Sequence, residues 1–176
     1  MITKVLIIGA GPSGLLLSLL LKKNGIDNIV LEKQTSSHVA NRIRAGILEP
    51  GTVNILQKAG IGNRLSKEGI SHNSFSIAFN DKIHNVNIKK LSNHSVTVYG
   101  QTEVTKDLMN KLSEINSKIF YGINSLKILN ITKPKVEFKY NSKKLIINSK
   151  FIVGCDGYHG ITKNLIPKNI RKIYEK

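Results

Sequence analysis

Three glycines and one acid near the start of the chain have the types and spacing needed to bind a dinucleotide. Gly9, Gly11 and Gly14 follow the pattern Gly-x-Gly-x-x-Gly. In this pattern the first glycine permits a tight turn, the second lets the backbone approach a pyrophosphate, and the third lets a helix pack closely on a strand. Glu32 follows at close to the roughly 20-residue distance at which an acid accepts hydrogen bonds from a ribose diol. Together these residues predict a dinucleotide site.

The residues around this turn predict the strand and the helix that such a site requires. An apolar stretch, Thr3–Ile8, precedes the glycines, and a second, Leu15–Leu21, follows them. Pro12 suits the first turn of a helix because the N–H group that proline lacks would have no partner there. Phosphates would lie at this helix N-terminus, where free N–H groups and the helix dipole favour anions. A strand–helix–strand unit that binds no nucleotide is the alternative.

Two arginines form a second candidate site in a chain that otherwise uses lysine. Only 4 of the 27 basic residues are arginine, and Arg42 and Arg44 lie two positions apart. A guanidinium group holds phosphate or carboxylate at two points, which an ammonium group does not. Their position shortly after the strand that leads into Glu32 favours phosphate binding, and an exposed basic loop is the alternative.

A third candidate is Gly154-Cys155-Asp156-Gly157, which follows an apolar strand. Parallel sheets bind their ligands at the carboxyl ends of such strands, so Asp156 could lie near the phosphates or sugar hydroxyls of the same cofactor. Alternatively, Asp156 caps the helix that begins soon after. Cys155 is interpreted as a packed side chain. No histidine pair has metal-ligand spacing and no general base stands out, which is typical of chemistry carried by an organic cofactor.

Composition limits the other function classes. The chain has 176 residues and a formal net charge of +16. This charge is compatible with a nucleic-acid binder, but the lysines are scattered and no aromatic residues alternate with them for base stacking. We therefore expect no nucleic acid among the partners. Leu15–Leu21 is too short to span a membrane. The single cysteine suits a reducing cytoplasm.

The alternation of elements predicts an α/β fold with a parallel sheet. Strands are predicted at 2–8 and 28–32, with a helix at 12–24 between them. From His72 to Lys89 the apolar period is two, which predicts an inserted β-hairpin. The other predicted elements are a polar segment at 33–49, helices at 50–58, around Arg64 and at 101–115, an extended stretch at 96–99, a meander of strands at 118–121, 126–131, 135–140, 145–148 and 150–153, and a short helix at 161–165.

The chain also resembles the flavoprotein aromatic hydroxylases, in particular those acting on 4-hydroxybenzoate. The resemblance extends from Ile2 to Pro167 and is carried by Gly9–Leu16, Val30–Gln34, Arg42–Gly46, Val98–Val104 and Gly154–Gly160. It implies a Rossmann-like FAD-binding domain with a parallel sheet, an inserted β-hairpin and a β-meander. The family is considerably longer, so residues 1–176 would be a partial FAD-binding domain, truncated relative to the family. Residues 72–98 would be the first piece of a substrate domain.

By this resemblance, the loop from Gly9 to Gly14, with Pro12 and Ser13, would hold the FAD pyrophosphate, and Glu32 would hold the adenosine ribose. Arg42 and Arg44 would reach the ribose, pyrophosphate and ribityl chain, with Ala45, Gly46 and Ile47 near the flavin ring and Gln101 on the ribityl chain. Asp156 would serve FAD and nicotinamide binding. The residues associated with NADPH would be Lys33, Gln34, His159 and Lys163; Lys33, His38 and Lys163 depart from the family's usual arginine, tyrosine and arginine.

The resemblance implies an enzyme that uses FAD, NADPH or NADH, and O2 to convert 4-hydroxybenzoate into 3,4-dihydroxybenzoate. The family's substrate-holding residues lie in a part with no counterpart here, so we expect a chain of this length to be inactive alone. A full-length form could be a homodimer. The same glycine and Asp-Gly motifs would also fit another FAD-dependent monooxygenase or oxidoreductase, or a nucleotide-binding remnant without catalysis.

Overall fold

A computed structural model describes residues 1–167, 169–170 and 172. The chain divides into two compact units, Met1–Val39 with Leu112–Lys176 (unit 1) and Ala40–Lys111 (unit 2). The strands are β1 Ile2–Ile8, β2 Asn28–Glu32, β3 Ile47–Leu48, β4 Ile70–His72, β5 Ser74–Phe79, β6 Lys82–Asn87, β7 Val96–Val98, β8 Lys118–Tyr121, β9 Asn124–Asn130, β10 Lys135–Tyr140 and β11 Lys143–Gly154. The helices are α1 Pro12–Lys23, α2 Ser36–Asn41, α3 Pro50–Lys58, α4 Gly62–Glu68, α5 Ile88–Ser92 and α6 Gln101–Glu114, with a 3₁₀ helix at Thr162–Leu165.

Unit 1 is built on a six-stranded sheet in the order β8-β2-β1-β11-β10-β9. β1 pairs in parallel with β2 and with β11, and β2 pairs in parallel with β8. The remaining pairs, β11 with β10 and β10 with β9, are antiparallel. The predicted α/β fold with a parallel sheet is confirmed.

Two predictions in this region are wrong. Residues 118–121 do not belong to the meander, because β8 pairs in parallel with β2 and is one of the four parallel strands of the sheet. Residues 145–148 and 150–153 are one strand, β11, because it exchanges partners without a break. Its first half, up to Asn148, pairs with β10, and the half from Asn148 onward pairs with β1.

The core of unit 1 joins the parallel and antiparallel strands. Leu6 on β1 and Leu31 on β2 are buried in one cluster with Val136, Phe138 and Ile147. Burial of large apolar side chains is the main favourable term in folding. It therefore fixes the position of β1, whose carboxyl end leads into the glycine turn.

Unit 2 contains a three-stranded sheet in the order β3-β7-β4 and a separate hairpin of β5 and β6. The hairpin turn is Asn80-Asp81, and both residues have positive φ, at 49° and 56°. This conformation is that of a two-residue turn whose twist matches the strands. The predicted inserted hairpin is confirmed.

The predicted boundaries around the hairpin need three corrections. The polar segment 33–49 contains α2 and β3, and residues 70–72 form a short strand paired with β7. Ile88 begins α5 instead of continuing the strand, because the Asn87 side chain accepts a hydrogen bond from the Lys90 N–H at 2.8 Å and caps that helix. Among the described residues, no helix has the length and apolar character to cross a membrane.

Candidate functional site

The turn between β1 and α1 has the close packing that the glycines predict. Gly9 has φ +106°, a conformation that L side chains rarely adopt, and a Cβ there would collide with the backbone of Cys155. A Cβ on Gly14 would collide with the carbonyl oxygen of Gly9. The turn is therefore tight, and α1 begins directly against it.

The N-terminus of α1 is open to an anion. Gly11 is the N-cap, Pro12 is in the first turn, and no described side chain caps the helix. A Cβ built on Gly11 meets nothing within 4 Å, and its φ of −69° is ordinary. Ser13 is exposed. Space and free N–H groups therefore coincide where a pyrophosphate would lie, so this turn fits such a group.

Glu32 is held in place by the backbone on both sides. Its Oε2 accepts a hydrogen bond from the Ala10 N–H at 2.8 Å, and its Oε1 accepts one from the Gln34 N–H at 2.8 Å. Each carboxylate oxygen has a second lone pair, so the group can still accept bonds from sugar hydroxyls. Burial, and to a lesser extent the negative charge of Glu32, raises the pKa of nearby Tyr121 to about 12.

The neighbours of Glu32 differ in exposure. Lys33 is exposed, and the backbone carbonyl of Gln34 accepts a hydrogen bond from the Gly122 N–H at 2.8 Å. His38 lies on α2 and is also exposed.

Asp156 bonds the first residue of the 3₁₀ helix, as the capping interpretation expects, although the N-cap residue itself is Ile161. Its carboxylate accepts hydrogen bonds from the Thr162 N–H, at 3.0 Å, and from the Thr162 hydroxyl. Burial raises the pKa of the Cys155 thiol, next to the glycine turn. A protonated thiol in this packed place agrees with a packing role for Cys155.

His159 and Lys163 lie on the exposed surface around Tyr158. The Lys163 ammonium is 4.2 Å from the centre of the Tyr158 ring, and the His159 ring meets the same ring edge-to-face at 5.1 Å. This cation–π contact occupies one face of an aromatic ring that is otherwise open to solvent.

The other predicted site residues belong to unit 2. Arg42, Arg44, Ala45 and Ile47 are exposed, and Gln101 is half-buried as the first residue of α6. The Thr102 hydroxyl donates to the carbonyl oxygen of Arg42 at 3.2 Å.

Gly46 packs closely against the backbone of Tyr99 and Gly100. Its carbonyl accepts a hydrogen bond from the Tyr99 N–H at 2.7 Å, and a Cβ on Gly46 would collide with Gly100. The structure thus brings the predicted residues together in two groups, one per unit: the glycine turn with Glu32 and the backbone of Asp156, and the Arg42–Gly46 loop with the start of α6.

One cluster near the second group was missed from the sequence. Arg64 contacts Glu103 and Asp107, and Asp107 accepts a hydrogen bond from the Tyr99 hydroxyl. The local signals were that Arg64 is one of four arginines and that Glu68 follows it at i,i+4 spacing, whereas its partners Glu103 and Asp107 are 39 and 43 positions away.

Comparison with known proteins agrees with this geometry. Residues 2–174 match the family described as FAD binding domain. The chain is 43% identical, over 99% of its length and 44% of the relative's, to the p-hydroxybenzoate hydroxylase of Acinetobacter baylyi. The chain therefore spans less than half the length of this relative, which agrees with the expected truncation.

Solved structures show the same fold at lower identity. The p-nitrophenol 4-monooxygenase PnpA of Pseudomonas putida has a TM-score of 0.78 and 21% identity, over 92% of this chain and 42% of that protein. The flavin-dependent monooxygenase PieE, solved with FAD and substrate, has a TM-score of 0.70 and 19% identity, over 90% of this chain and 31% of that protein. With the strand–turn–helix and the family match in agreement, the chain belongs to the FAD binding domain family.

Proposed function

We propose that this chain is the FAD-binding part of a 4-hydroxybenzoate 3-monooxygenase. The reaction is hydroxylation of 4-hydroxybenzoate to 3,4-dihydroxybenzoate with O2 and NADPH or NADH, in the cytoplasm. One observation carries the choice of substrate: the 43% identity to p-hydroxybenzoate hydroxylase extends over 99% of the chain.

Unit 1 would bind the adenosine and the pyrophosphate of FAD. The pyrophosphate would accept hydrogen bonds from the first-turn N–H groups of α1, where Gly11 leaves the space open. Glu32, oriented by the Ala10 and Gln34 N–H groups, would hold the ribose diol. Asp156 would act through its backbone or through water, because its carboxylate is directed toward Thr162, with which it forms two hydrogen bonds.

Unit 2 would bind the rest of the cofactor. The guanidinium groups of Arg42 and Arg44 would pair with the phosphates and sugar hydroxyls, and Gln101 would bond the ribityl chain. Ala45, Gly46 and Ile47 would lie near the flavin ring. When bound, FAD supplies the redox chemistry with O2, and the protein supplies orientation and electrostatics.

The nicotinamide cofactor would be attracted by exposed basic side chains. Lys33, His159 and Lys163 are exposed and could meet a phosphate, with Gln34 beside Lys33. Lysine offers a point charge where arginine would offer a two-point fork, so we propose NADPH use with a weaker preference over NADH.

Residues 72–98 would be the first piece of the substrate domain. β5 and β6 form a sheet of their own, with Phe75, Ile77 and Phe79 on one exposed face. The relatives' additional length would supply the rest of that domain. We therefore propose that the 176-residue chain binds FAD without hydroxylating.

A two-part experiment tests the proposal. The purified chain is first titrated with FAD, and the visible spectrum is recorded after gel filtration; we expect a retained flavin spectrum. NADPH oxidation and product formation are then measured with 4-hydroxybenzoate. Failure to bind FAD would contradict the cofactor assignment, and stoichiometric formation of 3,4-dihydroxybenzoate would contradict inactivity of the chain alone.

The role as the FAD-binding part and the role of the hairpin are tested by complementation. The chain is co-expressed with the C-terminal part of the Acinetobacter baylyi relative, and we expect hydroxylation of 4-hydroxybenzoate to appear. Phe79→Asp should abolish it, whereas Asp81→Asn in the hairpin turn should not. Absence of hydroxylation by the co-expressed parts would contradict the proposal that this chain is the FAD-binding part of such an enzyme.

A further inference from the structure

Arg64 is surrounded by three carboxylates within unit 2. On its own helix, α4, its Nε and Nη2 donate to Glu68 at 3.1 and 3.0 Å. On α6, its Nη2 donates to Glu103 and its Nη1 donates to Asp107, each at 2.6 Å. Charge-assisted bonds of this kind are shorter and stronger than neutral ones. A single guanidinium group therefore connects α4 with α6.

Asp107 extends this connection to Tyr99. The Asp107 side chain is 9% exposed and Tyr99 is 4% exposed. The Tyr99 hydroxyl donates to Asp107 Oδ2 at 2.7 Å. Burial and the neighbouring Asp107 carboxylate both raise the pKa of Tyr99, so its hydroxyl stays protonated and remains a donor.

Tyr99 begins the segment that contacts the Arg42–Gly46 loop. Its N–H donates to the Gly46 carbonyl at 2.7 Å, and Gly100 packs so closely on Gly46 that no Cβ would fit there. The Thr102 hydroxyl donates to the Arg42 carbonyl at 3.2 Å. Gln101 lies between these two contacts, so the position of Tyr99 determines that of Gln101 and of the loop from Arg42 to Gly46.

We propose that Arg64 and Asp107 are positioning residues for FAD, acting through Tyr99 on Gln101 and the Arg42–Gly46 loop. The inference rests on the proposed function, which assigns FAD contacts to that segment and loop. The proposal does not require Arg64 or Asp107 to contact the cofactor. Their role is to keep its binding groups in place before it arrives, which lowers the ordering cost of binding.

The test compares three variants of the full chain by two measurements. Tyr99→Phe removes the hydroxyl, and Asp107→Ala removes the link between Tyr99 and Arg64. Glu68→Gln is the matched control because it weakens an exposed pair of Arg64 and leaves the contacts of Asp107 with Arg64 and Tyr99 in place. Amide hydrogen exchange of residues 42–46 is measured without FAD, and the FAD dissociation constant is measured by flavin fluorescence. All measurements are made under conditions in which circular dichroism shows that each variant is folded.

We expect faster exchange and about tenfold weaker FAD binding for Tyr99→Phe, the size typical of losing a hydrogen bond to a charged group. Asp107→Ala should have at least that effect, and Tyr99→Phe carries the test alone if Asp107→Ala does not fold. Glu68→Gln should change FAD affinity less than about twofold, as is usual for an exposed ion pair.

Two results would overturn the inference: unchanged exchange of residues 42–46 in Tyr99→Phe, or faster exchange with the parent's FAD affinity. A parent chain that binds no FAD would instead contradict the proposed function. The exchange measurement then decides by itself whether the cluster positions the loop, so the two failures can be told apart.

Discussion

Two apolar strands of similar length, β1 and β5, have very different surroundings. Ile7 on β1 is 0% exposed, whereas Ile77 on β5 is 49% exposed. β1 has parallel partners on both sides, and β5 pairs only with β6. The difference shows that unit 1 covers Ile7 on β1, whereas the described part of the chain does not cover the apolar face of β5. This uncovered face supports the proposal that residues 72–98 are the first piece of a substrate domain.

The sharpest test of this comparison makes the same substitution in both strands. We expect Ile7→Ala to lower the free energy of unfolding by about 4 kcal/mol, because it leaves a cavity in a closed core. Ile77→Ala should cost about 1 kcal/mol or less, since half of the side chain is already in water. Urea unfolding of both variants measures this. Equal losses would show that the hairpin face is covered.

A second prediction concerns the close packing at the end of β1. Gly9→Ala should lower the free energy of unfolding by about 3 kcal/mol, because the new methyl group adds a collision with Cys155 to an unfavourable φ. Gly25→Ala is the control, since Gly25 has φ +67° with nothing near its Cβ position. It should cost only the conformational strain, about 1 kcal/mol. Similar costs at both positions would argue against a tight turn.

The smallest expected effect is on the acid stability of unit 1. A hydrogen bond from Lys22 holds the pKa of Asp27 below its usual value, with Thr3 as a further donor. A lowered pKa stabilises the fold above the unfolded-state value, near 4, and this contribution is lost as the pH falls through the folded-state pKa.

In Asp27→Asn, unfolding between about pH 6 and pH 2 should therefore depend less on pH, by about 0.5 kcal/mol, since the pair is exposed. An unaltered pH dependence in Asp27→Asn would remove the assigned role of the Lys22 pair.

The elements up to Glu32 could be predicted to within a residue because local signals agree there: an apolar strand, a glycine turn, Pro12 and a second strand. The partner of a strand is not encoded locally, so the parallel pairing of residues 118–121 with β2 was not foreseen. For the same reason the sequence predicted two strands in place of β11. β11 is one strand because it pairs with β1 from Asn148 onward.

In the candidate site, too, local features could be predicted and contacts between distant segments could not. Residue types and spacing indicated the glycines, Glu32 and the two arginines, because each would perform its proposed role through its own chemistry. The hydrogen bond from the Ala10 N–H to Glu32 and the contact of Arg64 with Asp107 depend on chain segments that are distant in sequence. Such contacts become visible only in the folded chain.

The most direct test of the central claim, that the open N-terminus of α1 receives the FAD pyrophosphate, is an FAD titration of Gly11→Ala. Both Gly11 and Gly51, the control position, have nothing near their Cβ positions, so each alanine should fold normally. We expect Gly11→Ala to bind FAD at least about tenfold more weakly, because its methyl group occupies the space where the pyrophosphate approaches the backbone. Gly51→Ala should bind FAD like the parent. Parental affinity in Gly11→Ala would contradict the account.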